Sequence, residues 1–314
     1  MIAIAVRSGS TLDAGVHRGE DVRLTGRGDI GGSTVRRLQL GARLRELRLA
    51  AGVSREAAGY RIRASESKIS RMELGRVGFK ARDVTDLLLL YGVESPEEHD
   101  RLLELTKAAN SPSWWHTYGD VLENWFHSYL DLEQAAELIR TYEIQFVPGL
   151  LQTEGYASAV IRLAHTNPSK AEVERRAKLR MTRKETLERP DAPTFWAVLD
   201  EAVLRRLIGG KEVLREQIVA LLEACDNPNI RLQVIPFDSG GHAAAGGAFS
   251  ILRFPHSELD DVVYIEHLTS ALYLDKREDV DDYAAAFGRL IIEAAPPART
   301  PDILKAVIAN LDAS

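Results

Sequence analysis

Cysteine is almost absent from this sequence, and long apolar runs are missing from it. Cys225 is the single cysteine among 314 residues, which excludes an internal disulfide and with it the disulfide-stapled secreted proteins. No run of roughly 18 apolar residues occurs, so we expect no membrane-spanning helix. The opening MIAIAV lacks the basic start of a secretory signal peptide. These absences predict a protein of the reducing cytoplasm.

The motifs of the common enzyme classes are also missing. The sequence has no HExxH zinc motif, no Walker phosphate loop and no strand-to-helix GxGxxG. Glu266 and His267 come nearest to an acid–base pair, but neighbouring strand residues point to opposite faces of a sheet. Ser250 and Ser270 lack the context of a nucleophile elbow. We therefore expect no enzymatic activity, no cofactor and no metal site.

Charge is distributed very unevenly along the chain. Between Arg36 and Arg82, thirteen Lys and Arg stand beside four acids, a net charge of +9. The whole chain carries −6, which leaves −15 for the remaining residues. A basic segment attached to an acidic body is typical of a protein that binds nucleic acid through one end.

Composition and hydrophobic periodicity divide the chain into a leader and two domains. Residues 1–35, rich in Gly, Ser and Asp, are predicted to be a disordered leader. Residues 36–110 form a predicted domain of five helices, which ends at the break Asn110–Pro112. Residues 111–314 are predicted to be an α+β domain for dimerisation or partner binding, with helices first and a small sheet later. The fold class is therefore mainly α with a smaller α+β part.

Within the C-terminal domain, apolar spacing and Gly or Pro breaks predict the individual elements. Predicted helices cover Val121–Tyr142, Thr153–Ala164, Ser169–Leu187, Ala202–Leu207, Glu212–Ala224, Val280–Glu293 and Pro301–Leu311, and predicted strands cover Thr194–Leu199, Ile230–Pro236, Ala248–Phe254, Val262–Glu266 and Ala271–Leu274. The glycine-rich stretch Asp238–Gly247 precedes a strand rather than a helix, so we interpret it as a mobile hairpin loop and not as a phosphate cradle.

The segment Leu40–Val93 has the pattern of two short helices joined by about one turn. Ser54 and Ser65 are suitable N-caps for helices near Ser54–Arg61 and Ser65–Glu73. In the second helix Ile69 and Met72 face inward. The side chains left outward near its start are Glu66, Ser67, Lys68 and Arg71. A recognition helix in the major groove carries such groups, because Arg and Lys donate to guanine, Ser serves either edge and Glu accepts from cytosine.

The strings LRELRLAAGVS and SKISRMELGR resemble the XRE-type helix-turn-helix, the family of the 434 and lambda repressors. The resemblance implies binding to double-stranded DNA, with base contacts from Glu66, Ser67, Lys68 and Arg71. It implies phosphate contacts from Arg55, Arg76 and Lys80, and we assign Ser54 to the same group. Two positions depart from the family pattern: Arg55 replaces the usual Gln, and Arg63 replaces the usual Gly of the turn. Arg63 must therefore adopt a costly left-handed conformation or shift the turn.

Four further blocks resemble actinobacterial XRE-type regulators with a long antitoxin-like C-terminal domain, including WhiJ-like developmental regulators. The blocks are LIRTYEIQFVPGLLQTEGYASAVIR, VLDEAVLRRLIGG, NIRLQVIPFDSGGHAAAGGAFSILRFP and VVYIEHLTSALYL. This resemblance implies a small protein partner encoded beside the regulator and a role as a repressor in development or antibiotic production.

The sequence thus favours a transcriptional regulator that reads the major groove as a homodimer on an inverted repeat. Two alternatives stay open. In one, the C-terminal domain senses a small molecule; in the other, an antitoxin-like protein mainly sequesters its partner. An apolar pocket with polar groups behind Gly240–Gly247 would favour the sensor. An exposed apolar patch without a cavity would favour a protein partner.

Overall fold

The structure, a computed structural model, describes residues 32–244, 246–255 and 259–313. Most of the predicted leader therefore lies outside the described residues. Residues 33–35, which were predicted to belong to it, instead form the start of the first helix. Across the described part of the chain, no helix combines the length and the apolar character needed to cross a membrane.

The predicted five-helix N-terminal domain is confirmed. Its helices are α1 Ser33–Ala50, α2 Arg55–Arg61, α3 Glu66–Glu73, α4 Ala81–Leu90 and α5 Pro96–Ala109. Helices α1, α3 and α4 end where Gly52, Gly75 and Gly92 adopt positive φ angles of 66°, 63° and 73°, the left-handed geometry that closes a helix and favours glycine. One apolar cluster, with Leu44 and Ile69 almost fully buried, holds the helices together.

In its described residues, the C-terminal domain combines seven α-helices with a six-stranded mixed sheet. The helices are α6 Phe126–Ala135, α7 Glu154–Ala164, α8 Lys170–Lys184, α9 Ala202–Arg205, α10 Lys211–Ala224, α11 Arg277–Glu293 and α12 Thr300–Ala313. The strands are β1 Leu138–Glu143, β2 Thr194–Asp200, β3 Ile230–Ile235, β4 Phe249–Arg253, β5 Val262–Glu266 and β6 Ala271–Leu274. The order is β3-β2-β1-β4-β5-β6, with β1, β2 and β3 parallel and the remaining pairs antiparallel.

The two faces of this sheet are covered unequally. One face packs on the main apolar cluster, to which α6, α7, α8, α10 and α12 contribute side chains. The other face packs on α11 through a second cluster that includes Tyr142, Phe249 and Phe287. Residues alternate between the two clusters along each strand, as the pleat of a strand requires. The domain therefore has three layers, with the sheet in the middle. Several helices cover one face of the sheet, and α11 is the only described helix that covers the other.

The predicted helix Val121–Tyr142 is wrong over most of its length. Helix α6 occupies only Phe126–Ala135, and residues 138–143 form β1 at the centre of the sheet. Strand β1 pairs with both β2 and β4. These pairings, made with distant parts of the chain, outweigh the local helical tendency of the segment. The sheet consequently begins before α7, and helices and strands alternate instead of following one another in two blocks.

The first turn of α1 is attached to the C-terminal domain. The backbone N–H of Ser33 donates to Ser113 Oγ at 3.0 Å, and that of Thr34 donates to Asp131 Oδ2 at 2.9 Å. Asp131 is fully buried and also accepts from Trp115 Nε1 at 2.8 Å. Val35 belongs to the apolar core of the C-terminal domain. Helix α1 therefore joins the two domains, and α5 ends at Ala109, just before the predicted break Asn110–Pro112.

Candidate DNA-binding surface

Helices α2 and α3 start side by side, each under a serine cap. Ser54 Oγ accepts from the N–H of Ala57 at 3.0 Å, and Ser65 Oγ accepts from that of Lys68 at 3.2 Å. Both predicted N-caps are confirmed. Capping leaves other N–H groups of each first turn without a partner inside the helix, and such groups bind anions.

The turn between these helices has the strained geometry that its sequence implies. Arg63 has φ 54°, a left-handed conformation that costs a non-glycine residue free energy. Gly59 lies against the turn, since a Cβ atom there would come within 2.7 Å of the Ala64 carbonyl oxygen. A glycine at position 59 thus permits the close approach of α2 to the turn, while Arg63 bears the backbone strain.

Helix α3 is amphipathic in the predicted sense. Ile69 and Met72 are buried, whereas Glu66, Ser67 and Arg71 are exposed. Within the described part of the chain, the Arg71 guanidinium makes one long hydrogen bond, 3.4 Å from its Nε to the Ser67 carbonyl oxygen. The outward surface at the start of α3 therefore presents a carboxylate, a hydroxyl and a guanidinium.

Lys68 is placed differently from its three predicted companions. Its Nζ lies 2.8 Å from Asp83 Oδ2 at the start of α4, and only 31% of its side chain is exposed. Asp83 is buried. The structure therefore groups Glu66, Ser67 and Arg71 on one outward surface, while Lys68 ties α3 to α4.

A buried carboxylate connects the first three helices. Glu73 accepts from Arg48 Nε at 2.5 Å and from Arg55 Nε at 3.1 Å. Glu73 and Arg48 are both buried, and the hydrogen bond from Arg48 to Glu73 raises the pKa of the arginine. Arg55, predicted to contact phosphate, is 37% exposed. It can reach solvent while it also neutralises Glu73.

The two remaining predicted phosphate contacts follow α3 directly. Arg76 and Lys80 are exposed, and neither side chain makes an ion pair with another described residue. Their charges are thus available to an external anion.

One exposed aromatic residue at this surface escaped the sequence analysis. Tyr60 on α2 is 88% exposed. It lines a groove of about 1150 Å³ together with Ser54, Arg63 and Ser65. A signal for it was available: in a helix whose inner face holds Ala58 and Ile62, position 60 must point outward. Only basic and polar residues were predicted as DNA contacts, so Tyr60 was not among them.

The glycine-rich connection in the C-terminal domain is not a hairpin loop. It joins β3 to β4, and two other strands lie between them in the sheet. His242 fastens this connection to the sheet, with Nε2 2.9 Å from the Tyr142 hydroxyl. A pocket of about 210 Å³ lies behind it, lined in part by Phe249, Asp282 and Tyr283.

A larger apolar groove opens elsewhere on the same domain. It has a volume of about 650 Å³ and is lined by Phe146, Leu163, Leu207 and Leu268, among others. The three leucines are 65%, 60% and 61% exposed. Arg206 is the only charged residue of this lining.

Comparisons with known proteins agree with the two domains of the fold. A helix-turn-helix domain model matches residues 39–102. A second family model, described as a domain of unknown function, DUF5753, matches residues 126–306. Searches of curated proteins and of solved structures returned no significant match. The first match, with the geometry of α2 and α3, makes the N-terminal domain a helix-turn-helix domain of a DNA-binding regulator. Since the second match spans more than half of the 314 residues, the chain belongs to the DUF5753 family.

Proposed function

We propose that the protein is a sequence-specific transcriptional repressor that reads the major groove as a homodimer. The observation that carries the proposal is the exposed start of α3, where Glu66, Ser67 and Arg71 face outward and are followed by the unpaired basic residues Arg76 and Lys80. Base-reading helices dock by their first turns, so these three side chains would meet base edges. In this proposal the protein works in the cytoplasm, without a cofactor, and is not an enzyme.

Arg71 is the foremost candidate for reading a base. Its guanidinium has no carboxylate partner among the described residues, so it can donate two parallel hydrogen bonds to guanine O6 and N7. Lys68 would first have to leave Asp83, at 2.8 Å. We therefore assign base contacts to Glu66, Ser67 and Arg71, with Lys68 joining them only if DNA displaces Asp83.

Phosphate contacts are proposed for Ser54, Arg55, Arg76 and Lys80. Ser54 starts α2, where free N–H groups favour an anion. Arg76 and Lys80 follow α3 with unmatched charges, and Arg55 lies half-exposed at the start of α2. Contacts of this type position the protein without reading sequence.

A single reader helix contacts too few base pairs for useful specificity, so we propose a two-fold dimer on an inverted repeat. Half-site centres should lie about 34 Å apart or a multiple of that distance. Because α1 is joined to the C-terminal domain, dimerisation through that domain would fix the relative placement of the two readers.

We further propose that a small protein partner controls the regulator through the C-terminal domain. The groove of Phe146, Leu163, Leu207 and Leu268 supports a protein partner, since exposed apolar patches mark interaction sites. The pocket behind the glycine-rich connection supports the alternative, a small-molecule sensor. Its 210 Å³ is below the roughly 300–1000 Å³ typical of ligand sites, and we therefore prefer the partner. An antitoxin-like protein that mainly sequesters its partner would use the same groove.

The test of DNA reading is a selection of bound sequences from a random library, followed by titrations with variants. Arg71→Ala should weaken the selected site by about 1–3 kcal/mol and relax the preference at one base per half-site. Arg76→Ala should weaken all sequences about equally and flatten the salt dependence. Arg101→Ala on α5, which removes the same charge from a residue paired with Glu98, is the control. Wild-type affinity and preference in Arg71→Ala would refute the assignment.

The oligomeric state is tested by sedimentation of the full chain, free and on the selected site. Two chains per site and a symmetric footprint are expected. One chain per site with an asymmetric footprint would exclude the dimer. For the partner, Leu207→Glu should abolish binding of the protein encoded beside the regulator, whereas Ile292→Glu, at an 84% exposed position on α11, should not.

A further inference from the structure

Three side chains form a row on the α11 side of the sheet. Arg140 of β1 is the register partner of Trp196 of β2, and Trp196 is the register partner of Arg231 of β3. Register partners point to the same face of a sheet. Helix α11 packs on this face through Phe287, which meets the Trp196 ring edge-on at 6.0 Å. We call Arg140, Trp196 and Arg231 the Arg–Trp–Arg row.

The two arginines of the row have no carboxylate partner among the described residues. Arg140 makes no ion pair or hydrogen bond there, and Arg231 contacts only the Trp196 ring, with Cζ 5.0 Å from the centroid. Trp196 is itself held in place by a 2.9 Å hydrogen bond from Nε1 to the buried Gln233. The aromatic ring is therefore a fixed platform with the Arg231 guanidinium over its face, and Arg140 lies on the neighbouring strand on its other side.

Several arginines of this domain pair with a carboxylate, and buried Arg180 donates to Gln152 Oε1 at 2.8 Å; within the described residues, the two arginines of the row do neither. Arg183 pairs with Glu133 at 2.8 Å, Arg176 with Glu172 at 3.0 Å, and Arg253 with Asp261 at 3.0 Å. Arg140, by contrast, is half-buried. Burial and the charge of Arg253 lower its pKa, and the nearby carboxylate of Asp261 opposes them only in part. Arg231 is exposed to solvent. An unpaired charge that is partly removed from water is unfavourable, and a bound anion would relieve it.

We propose that the Arg–Trp–Arg row is a binding site for a small phosphate-bearing molecule. Adjacent strands lie about 4.8 Å apart, so the Cα atoms of Arg140 and Arg231 are roughly 10 Å apart. Both long side chains can reach one phosphate or two linked phosphates over the tryptophan. A phosphate group carries up to two charges and three acceptor oxygens, enough for two guanidinium groups, whereas a carboxylate carries one charge. The planar guanidinium fork matches such oxyanions.

DNA is a poorer occupant than a small molecule. The +9 window ends at Arg82, and the residues outside it carry −15. A long polyanion would meet this repulsion over a wide area, whereas a small molecule meets only the local field of the row. The site is separate from the helix-turn-helix surface and its existence does not depend on the proposed DNA reading.

The test is calorimetric titration of the full chain with pyrophosphate at fixed ionic strength. We expect saturable binding at one site per chain, weakened about tenfold or more by Arg140→Gln and by Arg231→Gln, since each removes a charge-assisted hydrogen bond. Arg277→Gln, which removes the same charge from a 93% exposed side chain, should bind like the wild type. Circular dichroism and melting temperature establish that each variant is folded.

Two further titrations exclude other occupants. Succinate has two charges but no phosphate; binding as tight as that of pyrophosphate would overturn the phosphate assignment. Non-operator double-stranded DNA should bind all four proteins equally. A loss of DNA affinity in Arg140→Gln and Arg231→Gln would instead make the row a DNA contact. Absence of pyrophosphate binding, or equal binding by the row variants, would also overturn the proposal. None of these outcomes depends on Arg71, so the proposed DNA reading is judged separately.

Discussion

Replacement of Glu73 by Ala should destabilise the helix-turn-helix and make local unfolding of α2 and α3 more frequent. Glu73 is buried and neutralises both Arg48 and Arg55. The change leaves Arg48, whose side chain is only 7% exposed, without a carboxylate. Breaking a buried pair from one side costs about 3–5 kcal/mol, a large share of the roughly 5–15 kcal/mol that stabilises a domain. Amide hydrogen exchange in α2 and α3 should accelerate about 100-fold or more, while exchange in β1 and β2 should not change.

Two further variants serve as controls for this prediction. Glu46→Ala breaks the exposed pair with Arg43 on α1. It should change the free energy of local opening, derived from the exchange rates, by less than about 1 kcal/mol. The double variant Arg48→Met with Glu73→Leu removes both buried charges and should recover most of the loss, because it leaves no unpaired charge in the core. If Glu73→Ala exchanges no faster than Glu46→Ala, the buried network does not stabilise the domain and the reasoning fails.

Three more outcomes follow from single positions. Arg63→Gly should stabilise the N-terminal domain by about 1 kcal/mol in urea unfolding, because glycine tolerates φ 54°; a loss of stability would contradict the strain. His127 has a buried Nε2 without a partner among the described residues, and burial lowers its pKa. Stability should therefore fall as the pH drops below about 6.5. In His127→Phe the melting temperature should no longer fall with pH over this range. Glu133→Gln leaves buried Arg183 unpaired and should cost about 3–5 kcal/mol by chemical denaturation; a loss below about 1 kcal/mol would refute this.

The N-terminal domain could be predicted because its signals are local. Ser54 and Ser65 cap the helices that follow them, and Gly52, Gly75 and Gly92 end the helices before them. Each signal acts through hydrogen bonds or φ angles within a few residues, so it is readable without knowledge of the rest of the fold.

The centre of the sheet could not be predicted in this way. Residues 138–143 contain Leu, Ile and Tyr at spacings that also suit a helix. They become β1 because residues 194–199 and 249–253 pair with them on both sides, which is a long-range effect. The hairpin expected at Asp238–Gly247 failed for the same reason, since strand order is decided by the whole sheet. The Arg–Trp–Arg row was invisible for this reason too, because only the register of three strands brings its members together.

The predicted DNA-contact residues illustrate a further limit, because the sequence counts charges but not their partners. Thirteen basic residues lie between Arg36 and Arg82, yet the carboxylates of the same domain engage several of them: Arg43 with Glu98, Arg48 and Arg55 with Glu73, Arg61 with Asp86, and Lys68 with Asp83. When DNA binds, a paired cation must leave its carboxylate to contact a phosphate, so its net contribution to the affinity for DNA is small. An exposed, unpaired cation such as Arg71, Arg76 or Lys80 neutralises a phosphate without losing a partner, and so contributes fully to counterion release from DNA. The salt dependence of DNA binding should therefore be governed by the second group, well below the value that thirteen charges would imply.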